Sequence, residues 1–137
     1  MPDSHRPIPG EEFASELSRP YWESLRAGRF ELQRCNACGR FQHYPRPFCL
    51  GCDSEDLAWA ASSGLGEVVT VVRAHRTSRP ERGEKLPFCV SLVRLDDGPL
   101  ILATGADEAQ AGCRVEVDVP ATLQAGVLSI RRPPQER

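Results

Sequence analysis

Two C-x-x-C pairs constrain the fold of this chain more than any other feature of its sequence. Cys35 and Cys38 form the first pair, Cys49 and Cys52 form the second, and ten residues separate them. Each C-x-x-C turn places two sulfurs on the same side of a tight knuckle, and zinc takes four ligands at the corners of a tetrahedron. We therefore predict that these four cysteines bind one metal ion, zinc, and that ten residues are enough for a hairpin to bring the knuckles together.

The same pairs admit two other interpretations, a redox centre and an iron-binding electron carrier of the rubredoxin type. A redox C-x-x-C opens a helix in a thioredoxin-like unit, and neither pair has that context. Four thiolates leave the metal no open position at which to activate water, so the predicted role is structural. The other two cysteines, Cys89 and Cys113, fall in predicted strands and are expected to be small buried hydrophobes.

The composition predicts a globular protein, with 40% hydrophobic and 26% charged residues. No apolar run approaches the ~18 residues that cross a bilayer, and residues 1–10 lack the apolar core of a secretion signal. We therefore expect a cytoplasmic protein with reduced cysteines and no membrane segment. The net charge of -2 differs from the basic balance of proteins that bind nucleic-acid phosphates.

Residues 1–29 are predicted to form a tail followed by helices. Pro20 suits the first turn of a second helix, with Ser18 or Arg19 near its cap, and Gly28 suits its end. The apolar face of this segment either packs on the protein's own barrel or anchors another chain. As candidate partner-binding residues it presents Phe13, Leu17, Tyr21, Trp22 and Leu25.

After a cysteine-rich segment, residues 30–58, the pattern changes to period two with many β-branched residues. Asp97 and Gly98 form a tight hairpin signal between two of the resulting strands. Short strands without a long intervening helix predict a small barrel in residues 59–137. The five predicted strands are residues 66–75, 88–95, 99–105, 113–119 and 127–131.

Basic side chains crowd the loop after the first barrel strand. They are either a solvated charged loop or a phosphate contact, for which arginine is well suited. Beyond residue 58 only Trp59 and Phe88 are aromatic, which is a poor supply of stacking rings for single-stranded nucleic acid. No catalytic triad, P-loop or dinucleotide motif is present. The basic candidates are Arg76, Arg79, Arg82 and Lys85.

The order of these motifs resembles a known family. PYWESLRAGRFELQRC, CNACG and YPRPFC are followed by LGCDSEDLAWAASSGLGEVVTVV, LPFCVSLVRLDDGPLILA and CRVEVDV, over about residues 13–132. This layout is similar to that of small bacterial and archaeal proteins that join a rubredoxin-like zinc ribbon to an OB-fold. The resemblance implies a mainly β fold with N-terminal helices, a zinc ribbon and a five-stranded OB-fold barrel.

The resemblance also implies a function. Members act as accessory subunits or domains of thiolase-superfamily enzymes such as acyl-CoA thiolases, aldolases and acyltransferases. We therefore expect a non-catalytic partner of a thiolase-like subunit, in a homo- or hetero-oligomer, that helps to bind acyl-CoA through the four basic loop residues. The cysteine pairs match the family's zinc positions. The alternative is a zinc-ribbon and OB-fold protein that binds nucleic acid, an interpretation that rests on fold alone.

Overall fold

A computed structural model of the chain describes residue 8 and residues 14–76, 88–105 and 109–133. None of the helices in these ranges is both long and apolar enough to cross a membrane. The helices are α1 (Arg19–Arg26) and α2 (Val119–Ala125), and the strands are β1 (Glu31–Cys35), β2 (Phe41–Gln42), β3 (Leu57–Ala61), β4 (Leu65–Ala74), β5 (Phe88–Leu95), β6 (Leu100–Ala103), β7 (Arg114–Val117) and β8 (Ile130–Arg131).

The smaller sheet belongs to the zinc ribbon and has the antiparallel order β2-β1-β3. The register of β1 and β3 is unbroken from the pair Glu31 and Ala61 to the pair Cys35 and Leu57. Cys35, the first candidate metal ligand, therefore lies at the end of a strand that is paired with β3 along its whole length. Strand β3 runs past residue 58, the predicted end of the ribbon, and leads within a few residues into β4.

The larger sheet has the order β6-β5-β4-β7-β8 and curls until its outer strands meet. Thr104 and Ser129 form a parallel bridge there. The Thr104 N–H donates to the Leu128 carbonyl at 2.8 Å, and the Ile130 N–H donates to the Thr104 carbonyl at 2.8 Å. These bonds close a five-stranded barrel, as predicted, and we call this junction the β6–β8 seam.

Gly105 follows the seam immediately and has a φ of +87°. A Cβ atom at this position would lie 2.6 Å from the carbonyl oxygen of Ile130. Both the positive φ and the close approach of the backbone require glycine. The seam therefore depends on this residue having no side chain.

The predicted strands agree with the barrel, with differences at their ends. The prediction for 88–95 coincides with β5, and the others begin or end one to three residues away. The strand predicted for 113–119 is too long, because Asp118 caps α2 by accepting a hydrogen bond from the Ala121 N–H at 3.0 Å. Pro120 stands in the first turn of α2, and Gly126 ends it at a φ of +78°. Helix α2 was not predicted from the sequence.

Helix α1 begins as its proline predicts, with Ser18 at the cap and Pro20 in the first turn. Gly28 follows its end at a φ of +81°. Residues 16–18 form a turn instead of a further helix, so the described part of the N-terminal segment holds one helix where we predicted helices.

One apolar core joins α1, the ribbon and the barrel. Leu25 of α1 is fully buried, and so is Leu32 of β1. Their cluster is continuous with barrel residues such as Val68 and Val93. Burial of this kind stabilises by about 1.5–3 kcal/mol per large aliphatic side chain, so the three parts are held to one another by the hydrophobic effect.

Candidate metal centre and adjoining cleft

The four cysteines of the two pairs come together in one cluster. Their Sγ atoms all lie within 4.8 Å of one another. Two of these contacts, Cys35 to Cys52 at 3.5 Å and Cys38 to Cys49 at 3.6 Å, run between the pairs. A tetrahedral ion with Zn–S bonds of ~2.3 Å requires sulfurs about 3.8 Å apart. The cluster therefore fits one zinc ion and differs from two independent redox pairs.

Backbone amides point at two of the sulfurs. The Cys38 N–H donates to Cys35 Sγ at 3.5 Å, and the Gly51 N–H donates to Cys49 Sγ at 3.3 Å. The Cys38 amide is the main reason that the pKa of Cys35 falls to about 6. A thiolate is the form that binds a metal, so the amide donors at Cys35 and Cys49 favour metal binding. The chain thus has a zinc ribbon with four cysteines positioned to hold a metal ion.

Two buried glutamines hold the loop between the knuckles. Gln33 lies on β1 and Gln42 on β2, and the Gln42 Nε2 donates to the Gln33 Oε1 at 2.9 Å. Gln33 also bonds both backbone groups of Arg46, accepting from its N–H at 2.8 Å and donating to its carbonyl at 3.0 Å. Gln42 donates to the Phe48 carbonyl at 3.2 Å and accepts from the Leu50 N–H at 3.1 Å. We call this network the amide clasp.

Replacing Gln42 with glutamate should destabilise the ribbon by about 2–3 kcal/mol. The substitution removes two donors and leaves the Phe48 carbonyl and the Gln33 Oε1 facing a buried carboxylate. Urea unfolding of the zinc-loaded protein would measure the loss. Gln124→Glu on the exposed surface of α2 is the matched control and should change stability by less than about 0.5 kcal/mol. Equal stabilities of the two variants would contradict a structural role for the clasp.

An apolar cleft opens where α1, the clasped loop and the barrel meet. Its volume is about 440 Å³, within the ~300–1,000 Å³ range of small-molecule sites. The loop contributes His43, Tyr44 and Pro45 to one wall. The other lining residues are Ala14, Ser18, Tyr21 and Trp22 from the α1 side and Val90, Leu102, Ala103, Thr104, Gly126, Val127 and Leu128 from the barrel.

Three titratable rings meet inside the cleft. The rings of His43 and Tyr21 are 5.4 Å apart between centroids, and those of His43 and Tyr44 are 4.3 Å apart. Burial lowers the pKa of His43 to about 4. Burial, with a smaller contribution from Tyr44, raises the pKa of Tyr21 well above its ordinary value. His43 and Tyr21 are therefore both neutral at physiological pH, and this part of the cleft wall carries no charge.

The residues predicted to bind a partner have mixed environments. Tyr21 and Leu25 are buried in the chain's own core, which is one of the two alternatives that the sequence left open. Trp22 is half-buried and lines the cleft, and Leu17 is exposed. Phe13 lies outside the described residues. Contact with a partner chain therefore remains a prediction for Leu17 and Trp22, the two described residues of this face that are not buried.

Only Arg76 among the four predicted phosphate-binding residues is described. It is exposed, two residues beyond the end of β4. Arg79, Arg82 and Lys85 lie outside the described residues, so their role stays a prediction. Of the remaining cysteines, Cys89 is buried, as expected, while Cys113 is only half-buried and accepts a hydrogen bond from the Gln110 N–H at 3.4 Å.

The cleft was not predicted from the sequence, although some of its residues were named there. His43 belongs to no sequence motif, and most of the residues that line the cleft with it, such as Tyr21 and Thr104, are distant from it in sequence. The signal that was available is the phrase QHYPRP. In it, two ring residues and a proline directly follow the two-residue strand β2, and these three residues form the loop's wall of the cleft.

Two family models match the chain. Residues 22–58 match the rubredoxin-like zinc ribbon domain of ChsH2, and residues 59–123 match the C-terminal OB-fold domain of ChsH2. Among solved structures, the fold is similar to "Ltp2-ChsH2(DUF35) aldolase", with a TM-score of 0.71 and 25% identity over 87% of this chain and 96% of that one. A DUF35-family protein of unknown function from Sulfolobus solfataricus has the same fold, with a TM-score of 0.63 and 15% identity over 88% of this chain and 89% of that one.

The curated relatives that the chain matches are subunits about three times as long as this chain. The chain is 30% identical over 123 residues, 89% of its length, to a probable enoyl-CoA hydratase alpha subunit of Thermomonospora curvata. It is 32% identical over 102 residues, 73% of its length, to the 3-oxo-4,17-pregnadiene-20-carboxyl-CoA hydratase alpha subunit of Mycobacterium tuberculosis. The chain spans about a third of these relatives, 36% of the first and 30% of the second.

Proposed function

Because the chain belongs to the ChsH2 family of rubredoxin-like zinc-ribbon and OB-fold proteins, we propose that it is a non-catalytic accessory subunit of a thiolase-superfamily enzyme. In this role it organises the complex and helps to bind the acyl-CoA on which the enzyme acts. The similar solved structure is named as an aldolase that contains a ChsH2 chain, and the curated relatives are named as subunits of acyl-CoA enzymes.

The observation that carries this proposal is the closed sulfur cluster. Four thiolates at the spacing of one zinc ion fill every coordination position. Zinc bound by Cys35, Cys38, Cys49 and Cys52 would offset half of the thiolate charge and fix the two knuckles. It would offer no site for water or substrate, which supports a structural role for the metal and a partner subunit that supplies the reacting atoms.

A contribution to acyl-CoA binding is supported by the position of the described arginines at the end of β4. The last described pair of β4 and β5 is Ala74 and Phe88, and Val90, two residues along β5, lines the cleft. Arg73 and Arg76 are exposed on this end of β4 and beyond it. Guanidinium groups there would meet the CoA phosphates while the thioester end lies toward the cleft.

Co-expression with a thiolase-superfamily subunit encoded in the same genome tests the proposal. We expect a stable hetero-oligomer by size exclusion with light scattering, and acyl-CoA turnover at least roughly tenfold above that of the partner alone, which corresponds to about 1.4 kcal/mol. The same experiment with a hydratase-type subunit is the comparison, because the curated relatives are named as hydratase alpha subunits.

A complex with the hydratase-type subunit alone would contradict the thiolase assignment. A strict monomer that leaves both enzymes unchanged would contradict the accessory role itself. Binding of single-stranded nucleic acid with a steep salt dependence would instead support the alternative function.

A further inference from the structure

The side chain of Arg40 lies across the second knuckle, which Cys49 and Cys52 form. A Cβ atom added to Gly51 would lie 3.0 Å from the Arg40 Cδ, 3.1 Å from the Arg40 Nη1 and 3.6 Å from the Cys49 Sγ. The Arg40 Nη1 is therefore less than about 7 Å from this sulfur, which is within the ~8 Å range of charge interactions at physiological ionic strength. Arg40 thus brings a positive charge to the sulfur cluster from outside the set of metal ligands.

The backbone of Arg40 is fixed to the first knuckle. Its carbonyl oxygen accepts a hydrogen bond from the Cys35 N–H at 2.9 Å. The Arg40 side chain covers Gly51, whose N–H donates to the Cys49 Sγ at 3.3 Å. Arg40 therefore contacts both halves of the metal site, by its main chain at the first knuckle and by its side chain at the second.

Gly51 leaves open the space that the Arg40 side chain fills. The φ of Gly51 lies outside the left-handed region, so the backbone turn does not require glycine at this position. A Cβ atom 3.0 Å from the Arg40 Cδ would be closer than the distance of about 3.5–4.0 Å at which carbon atoms pack. Alanine at this position would push the arginine side chain away, so the contact with Arg40 explains the glycine.

The charge of the zinc-loaded cluster determines the role of this contact. Four thiolates carry more negative charge than one zinc ion offsets, so the loaded cluster keeps a net negative charge. Asp53, directly after Cys52, adds a further negative charge. We propose that Arg40 is a positioning residue of the metal centre, whose guanidinium offsets part of this charge, holds the second knuckle in its metal-binding form and so raises the affinity for zinc. This inference is independent of the accessory role proposed above.

Competition with a chelator measures the zinc affinity of the full chain. Arg40→Met keeps an unbranched side chain but removes the charge, and it should weaken zinc binding roughly tenfold at low salt. Arg40→Lys keeps the charge and should retain most of the wild-type affinity. The loss in Arg40→Met should shrink in 1 M salt, where the screening length is only about 3 Å. Arg46→Gln is the control, because it removes an exposed charge from the same ribbon, and it should change the affinity by less than about twofold.

A pair of alanine substitutions tests the contact itself. Gly51→Ala should weaken zinc binding about as much as Arg40→Ala, because its methyl group displaces the same side chain. The double variant should bind zinc no more weakly than Arg40→Ala alone, and losses that add together would contradict the contact. Wild-type affinity in Arg40→Met, or an equal loss in Arg46→Gln, would overturn the role of the charge. If Gly51→Ala fails to fold, the comparison of Arg40→Met with Arg40→Lys still decides.

Discussion

Replacing Cys38 with alanine is expected to unfold the zinc ribbon. With Cys38 gone, the remaining three sulfurs bind zinc far more weakly, and metal binding and folding are one equilibrium in small zinc modules, with apparent binding energies of about 10–16 kcal/mol. The ribbon sheet has three short strands, one of only two residues, so strand pairing alone gives it little stability. Zinc content per chain and circular dichroism on heating would show the loss together.

Cys113→Ala is the matched control, since Cys113 is a half-buried cysteine outside the cluster. It should retain one zinc per chain and a melting temperature within a few degrees of the wild type. Because α1, the ribbon and the barrel share one core, we expect the Cys38 variant to lose part of the barrel's stability as well. A Cys38 variant with unchanged zinc content and melting would refute the assignment of the metal site.

Gly105→Ala should have the second largest effect, a loss of roughly 3–4 kcal/mol of stability. A left-handed φ costs a non-glycine residue about 1–2 kcal/mol, and here the new methyl group would also lie 2.6 Å from the Ile130 carbonyl oxygen. Relieving that clash means displacing the hydrogen bonds of the β6–β8 seam. Urea unfolding would measure the loss.

Gly112→Ala separates strain from clash. Gly112 has a φ of +92°, and within the described part of the chain no atom would lie within 4 Å of a Cβ added there. The substitution should cost only the conformational part, about 1–2 kcal/mol. If both variants lose the same amount, the seam tolerates the methyl group and the barrel closure is looser than its hydrogen bonds indicate.

The parts of the fold that depend on local pattern could be predicted from the sequence. The two C-x-x-C pairs predict a four-sulfur cluster because four soft ligands at that spacing have few other uses, and the sulfurs do converge. Alternation in residues 88–95 predicts β5 to the residue, since every second side chain faces the core. Pro20 predicts the start of α1, because its missing N–H is harmless only in the first turn.

The parts that depend on distant contacts could not be predicted in this way. The cap of α2 was readable as Asp118 before Pro120, but the strand pattern of the preceding residues extended across it. The cleft and the amide clasp arise from residues on separate elements. The periodicity of a sequence does not indicate which polar side chains from different elements will form hydrogen bonds with each other. Gln33 and Gln42 gave no sign of their burial, because glutamine is usually a surface residue.

The β6–β8 seam has a thermodynamic consequence. Thr104 and Leu128, whose backbones hold the seam, also line the cleft. An occupant of the cleft that binds only the closed barrel shifts the opening equilibrium of the seam by mass action. Ligand affinity and the stability of the closed barrel therefore depend on the same backbone hydrogen bonds. A bound ligand would reduce the opening of the barrel at the β6–β8 seam, where the two outer strands are joined by few bonds.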